Sequence, residues 1–185
     1  REAFAVPRSC GVDALANTTN VLCASPSNPC TMSASVEVTT GGCTFDLGGR
    51  ALVIQKTFEM IGSGFIRVLN AGNITITSTG KLKARGDFVL SFGSIVQGGT
   101  IALTSSGAIM DSGVIDVSGD SAGLIQFTAV GDVTLANGSS IVGTGDTLAD
   151  EGQRFADGGT LEVRSTAGSI AINGTITLLG NNQAT

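Results

Sequence analysis

The chain contains no tryptophan, tyrosine or histidine, and each gap removes a class of chemistry. Without His, general acid–base work has to rest on carboxylates, Lys or Arg, and a mixed Cys/His zinc site has no imidazole to complete it. Without Trp or Tyr, and with a formal net charge of -5, there is no basic groove with stacking rings of the kind that grips nucleic acid. No apolar run approaches the ~20 residues of a membrane-spanning helix, so membrane insertion is not expected. Proline is scarce at 3 residues, and charged residues make up 14% against 42% hydrophobic, a balance that excludes a disordered polyelectrolyte.

What is present suits short strands joined by tight turns. Glycine reaches 27 of 185 residues without a Gly-X-Y period, which excludes collagen, while Ile, Val, Leu and Thr recur throughout. The length suits one domain with a continuous core. The chain begins at Arg1 rather than Met, as a processed or excised segment does.

All four cysteines, Cys10, Cys23, Cys30 and Cys43, fall in the first quarter of the chain, where the strand pattern is weakest. An even, clustered set with no C-x-x-C pair points to disulfides in an oxidising compartment, and hence to an extracellular or cell-surface protein. Three pairings are possible. Because "CTM" and "CTF" open two similar strand-like segments, Cys10 with Cys23 and Cys30 with Cys43 is the pairing expected if those segments lie side by side.

Internal repetition sets the architecture. Four segments align: "FIRVLNAGNITITSTGKLKARG" from Phe65, "GTIALTSSGAIMDSGVIDVSG" from Gly99, "GLIQFTAVGDVTLANGSSIVG" from Gly123 and "GTLEVRSTAGSIAINGTITLLG" from Gly159. Each divides into three apolar-alternating pieces. The leading pieces carry Ile66/Val68, Ile101/Leu103, Ile125/Phe127 and Leu161/Val163; the middle pieces carry Ile74/Ile76, Ile109, Val133/Leu135 and Ile170/Ile172. The closing pieces carry Leu82/Ala84, Ile115/Val117, Ile141 and Ile176/Leu178. Alternation places each pair on one face of a strand. Three strands per unit are too short for self-sufficient hairpins but make one turn of a triangular solenoid.

Excursions interrupt the period: "GDFVLSFGSIVQ" after Arg85 and "GDTLADEGQRFADG" from Gly145. Upstream, Val36/Val38, Phe45/Leu47 and Leu52/Ile54 read as degenerate turns, and a short helix is expected near "GVDALANTTNVL". The expectation is therefore an all-β, right-handed parallel β-helix of five or six turns over residues 33–185, behind a disulfide-bonded cap over residues 1–32. Ile101, Leu103, Ile115, Ile125, Val133 and Ile172 should share its core. A Greek-key sandwich also uses short alternating strands, but it does not explain four matching three-strand units.

From about Val36 to Gly180 this "G-x-I-x-h-x-G-x-I" punctuation resembles the β-helical stalks of filamentous-haemagglutinin-like and autotransporter exoproteins. The resemblance implies a secreted, surface-exposed β-helix used as an adhesin or scaffold. A glycan or a host or cell surface is the partner expected besides the chain itself. The function expected is thus structural or adhesive, with no catalysis and no required cofactor. The alternative is a carbohydrate-binding module or a small polysaccharide-lyase-like β-helix.

The residues that bear on that alternative each have a plain structural reading. Lys83 and Asp116 fall on neighbouring closing strands and read as a cross-strand ion pair, although a lyase would use such a base beside Asp ligands. Asp111, Asp116, Asp120 and Asp132 stand mostly beside turns, where Asp is favoured for backbone reasons. Asp146, Asp150, Glu151 and Asp157 form the densest acidic stretch, and "GTGDTL" resembles one calcium-binding nonapeptide; a solvated loop is the competing reading of this Ca²⁺ site. Lys81, Lys83 and Arg85 form an outward row suited to an anionic glycan or simply to solvent. Thr75, Thr77, Thr134 and Thr177 are too irregular for a flat ice-binding array. Asn17, Asn73, Asn137 and Asn173 open Asn-x-Ser/Thr triplets, and at a corner Asn is also explained by its tolerance of left-handed backbone.

Self-association is the last expectation. "GTITLLGNNQAT" completes a strand and then offers too few residues to cover a terminal turn, leaving Ile176, Leu178 and Leu179 at an open edge. Either a longer chain continues the coil or another copy covers it. In a head-to-tail assembly the segment Arg1–Arg8, with Phe4 and Val6, is the candidate to add to a neighbour.

Overall fold

In the computed structural model the described residues are 22–23, 27–38, 41–61, 64–86, 97–145 and 156–180. They form seventeen strands and no helix. The strands come in threes along the chain: β1 (Cys30–Met32), β2 (Val36–Val38) and β3 (Cys43–Asp46), then β4 (Leu52–Ile54), β5 (Thr57–Ile61) and β6 (Phe65–Ala71). Next are β7 (Ile74–Ile76), β8 (Lys81–Arg85) and β9 (Thr100–Ser105), then β10 (Ile109–Asp111), β11 (Val114–Asp116) and β12 (Leu124–Ala129). β13 (Val133–Leu135), β14 (Ser140–Val142) and β15 (Thr160–Ser165) follow, and β16 (Ile170–Ile172) and β17 (Thr175–Thr177) end the series.

Each strand pairs in parallel with the third strand before and after it, so three sheets run the length of a parallel β-helix. The middle face is β1-β4-β7-β10-β13-β16, the closing face β2-β5-β8-β11-β14-β17, and the leading face β3-β6-β9-β12-β15. The register is the one the repeat dictates. Ile66 lies beside Ile101, Ile101 beside Ile125 and Ile125 beside Leu161. On the closing face Leu82, Ile115, Ile141 and Ile176 stack in one column.

Alternation drives every other side chain inward. Ile101, Leu103, Ile115, Ile125 and Val133 are all closed to solvent, each of them contributing roughly 1.5–3 kcal/mol by burial. Ile172 holds the equivalent inward position but is 49% exposed, because among the described residues no further strand stacks on its coil. Aromatic packing belongs to the early coils, where Phe45 and Phe58 meet edge to face with centroids 5.6 Å apart. Inward serines at the leading-face corner are satisfied by backbone: Ser105 Oγ donates to the Gly72 carbonyl at 2.6 Å, and Ser165 Oγ to that of Gly131 at 2.9 Å. Where the closing face turns into the leading face the coils touch backbone to backbone, and a Cβ on Gly123 would run into the Gly99 carbonyl oxygen.

Several expectations are corrected. β1 lies inside the segment assigned to the cap, so among the described residues the first coil strand starts at Cys30. β5, "TFEMI", was not expected, yet it supplies buried Phe58 and Met60. The disulfide found is Cys23–Cys30, not Cys10–Cys23 with Cys30–Cys43. The reason is topological: Cys30 pairs with Leu52 on the middle face and Cys43 with Ile66 on the leading face, so "CTM" and "CTF" never lie side by side. Cys43 is also disulfide-bonded, and no described cysteine is free. Cys10, the expected helix and most of both excursions lie outside the described residues.

Asn73 does not use left-handed backbone. Its Oδ1 instead accepts the Ala108 N–H of the next coil at 2.8 Å, and among the described residues the non-glycine residue with positive φ is Asn70, at 51°, where the β6–β9 register shifts. Asp132 links coils in the same way. Its Oδ1 accepts the Ser169 N–H at 2.7 Å and the Ser169 hydroxyl at 2.9 Å, and these bonds, the backbone one foremost, lower its pKa.

Candidate functional site

Two features stand apart from routine coil packing: a column of charge on the closing face and the uncovered last coil.

The column runs outward through Glu37, Glu59, Lys83 and Asp116, one residue per strand, with Arg85 beside it. Lys83 and Asp116 are register neighbours as expected, but they do not pair with each other. Lys83 Nζ reaches Glu59 Oε2 at 4.0 Å, while Arg85 bridges Glu59 at 3.4 Å and Asp116 at 3.6 Å. Arg85 is the longer, forked cation and spans two strands, which a single ammonium cannot do as readily. Asp116 Oδ1 also accepts the Ser118 N–H at 3.0 Å. Glu59 is thus the central acid of the site, missed because β5 was not read as a strand; the signal was the alternation of Phe58, Glu59 and Met60. Glu59 and Asp116 each lie against a cation, so the column acts as a lattice of cross-strand pairs worth at most about 1 kcal/mol each.

Among the described residues there is no group of three or more Asp, Glu, Cys or His able to hold a metal. Asp146, Asp150 and Glu151 lie outside the described residues. Asp157 is exposed, and its backbone carbonyl accepts the Ala122 N–H at 3.0 Å. Thr75 and Thr134 do share an outward column on the middle face, interrupted by Met110, whereas Thr177 belongs to the closing face.

The last coil is built from β15, β16 and β17. Its inward Ile170, Ile172 and Ile176 are 47%, 49% and 37% exposed, whereas Val133, Leu135 and Ile141 one coil earlier are at most 1% exposed. Leu161, Val163 and Leu178 are only partly buried, and Leu179 is 62% exposed. The opposite end is closed: Cys30, Met32, Val38, Cys43 and Phe45 are at most 2% exposed. Of the residues expected to mediate association, Ile176, Leu178 and Leu179 therefore converge on one edge, while Phe4 and Val6 lie outside the described residues. No helix among the described residues is long and apolar enough to cross a membrane.

Comparison with family models, with curated proteins and with solved structures returned no match.

Proposed function

We propose that the chain is a non-catalytic extracellular structural or adhesive β-helix module. The observation that carries this reading is the continuous coil of three parallel sheets, whose charged column is taken up by cross-strand pairs of Glu59 with Lys83 and Arg85 and of Asp116 with Arg85. The oxidised cysteines support an extracellular setting. The last coil would be continued either by the remainder of a longer chain or by another copy, whose head-to-tail stacking would propagate into a filament.

The charged column supports a second reading, a carbohydrate-binding or lyase-like face. One experiment separates the two: incubation with a panel of acidic and neutral polysaccharides, with and without Ca²⁺. No cleavage is expected. Turnover that disappears in Lys83→Ala or Asp116→Asn would replace the structural reading with the lyase.

A further inference from the structure

We propose that Asn137 is a site of spontaneous covalent modification, in which the Gly138 nitrogen closes on the Asn137 side chain, ammonia leaves and an isoaspartyl residue results. Asn-Gly pairs share this chemistry in general, and the fold decides which pair undergoes it.

The chain has two such pairs, Asn137-Gly138 and Asn173-Gly174. They occupy equivalent turns from the middle to the closing face, one between β13 and β14 and the other between β16 and β17. In the reaction the glycine nitrogen gives up its proton and attacks Cγ of the asparagine. The new N–C bond closes a succinimide ring, and Nδ2 departs with a proton as ammonia. Water then opens the ring, giving Asp by attack at the side-chain carbonyl or isoaspartate by attack at the main-chain one. Asparagine and water thus become isoaspartate and ammonia, with no oxidant or reductant. Glycine favours the closure because no Cβ crowds the attacking nitrogen. What remains is whether the turn lets nitrogen and Cγ meet.

At Asn137 it does. The Ser139 N–H donates to the Ala136 carbonyl at 3.0 Å and closes the turn, so Asn137 and Gly138 form its apex. Both are exposed, although β16 and β17 stack on the strands that flank them. Among the described residues no hydrogen bond holds the Asn137 side chain, its N–H or the Gly138 N–H. Gly138 takes a φ of 93°, and a Cβ placed on it would meet nothing within 4 Å.

At Asn173 the same pair is pinned against the coil beneath. The Asn173 N–H donates to the Leu135 carbonyl at 2.8 Å and the Thr175 N–H to that of Ser139 at 2.9 Å. A Cβ on Gly174 would run into Ser139 Oγ and lie 2.9 Å from the Ser139 carbonyl oxygen and 3.1 Å from that of Ala136. Swinging the Gly174 nitrogen toward Cγ therefore moves backbone that is packed on backbone. All these contacts are with the preceding coil, so the contrast between the two pairs holds whatever stacks on the other side. Conversion at Asn137 adds one carboxylate and one main-chain atom to the apex. Bonds on both flanks, Ala136 N–H to Asp111 at 2.7 Å and Ser140 N–H to Gly113 at 2.8 Å, confine the change to the turn.

The test ages the full 185-residue chain in mildly alkaline buffer and follows both pairs by peptide mapping in a mass spectrometer, with isoaspartate counted by an isoaspartyl methyltransferase. In the folded chain Asn137 is expected to convert faster than Asn173 by about tenfold or more, and in denaturant the two should convert at similar rates. Isoaspartate should exceed Asp among the products, as ring opening of a succinimide gives. Asn137→Ser should remove the fast component and leave the circular dichroism unchanged. Equal rates at the two pairs in the folded chain, or faster conversion at Asn173, would overturn the assignment. So would Asp as the sole product, which marks direct hydrolysis of the side chain, or a fast component that persists in Asn137→Ser.

Discussion

Asp111 occupies a core position, and removing its charge should strengthen the fold at neutral pH. On the middle face it stands in the column between Ile76 and Leu135, and it is fully buried. Oδ1 accepts the Gly113 N–H at 2.9 Å, but Oδ2 is buried without a partner, as is Ser139 Oγ one coil on. Burial raises the carboxyl pKa from 3.8 to about 6, with the Gly113 bond opposing part of the rise. The sign follows from linkage. Below pH 3.8 the acid is protonated in both states and the fold bears no charge penalty. As pH climbs from 3.8 to about 6 the unfolded chain ionises first, stability falls, and above that it levels off. At 1.36 kcal/mol per tenfold in equilibrium, the loss is about 3 kcal/mol by pH 7. For a chain of this size that corresponds to roughly 6–12 °C in Tm. The assay is thermal unfolding of wild type, Asp111→Asn and Asp111→Leu from pH 3.5 to 7.5. The difference between wild type and either variant cancels the other carboxylates. It should shift in the variants' favour across pH 4 to 6 and be flat above. A difference that does not change with pH would refute the assignment of Asp111 as a charge buried at neutral pH.

Two further outcomes test the core and the cap. Ile101→Asp places an unpaired charge between Ile66 and Ile125 at a cost of several kcal/mol, so circular dichroism should show an unfolded chain; unchanged melting would contradict the register. Intact mass after alkylation without reductant should show no label, and Cys23→Ser with Cys30→Ser should lower stability by about 2–3 kcal/mol, the loop-closure value for a separation of 7 residues.

The coil was legible because its signal is redundant. Each leading, middle and closing piece repeats four times with apolar residues at matching offsets, so one misread strand does not shift the others. The early coils lack that redundancy. "TFEMI" has one copy of its pattern, and its outward Glu59 sits among residues that read as a connector. The cysteine pairing failed for a related reason: local likeness between "CTM" and "CTF" reports strand propensity, not which of three faces a strand joins. Asp111 reads as a turn residue in the sequence, although alignment puts it opposite Ile76 and Leu135. A carboxylate there violates the apolar rule, and only the stacked coils reveal that it points inward. Ile176, Leu178 and Leu179 fall on the last described coil as their place in the repeat requires, whereas the closed state of the opposite end depends on packing that no sequence period encodes.

The three faces and the two ends differ in how they can recognise another molecule. Along the faces every strand between the first and last is hydrogen-bonded on both sides, so a partner there meets side chains only. The outward column of the middle face is Thr31, Val53, Thr75, Met110, Thr134 and Ala171, without a charge, while the closing face carries Glu37, Glu59, Lys83 and Asp116. Two closing faces brought together would have to break the Glu59–Arg85–Asp116 pairing and desolvate its charges, which disfavours sideways bundling through that face. Among the described residues the last coil combines unbonded backbone with exposed apolar side chains, so a further strand, whether of the same chain or of another copy, would extend the coil there rather than on its flanks.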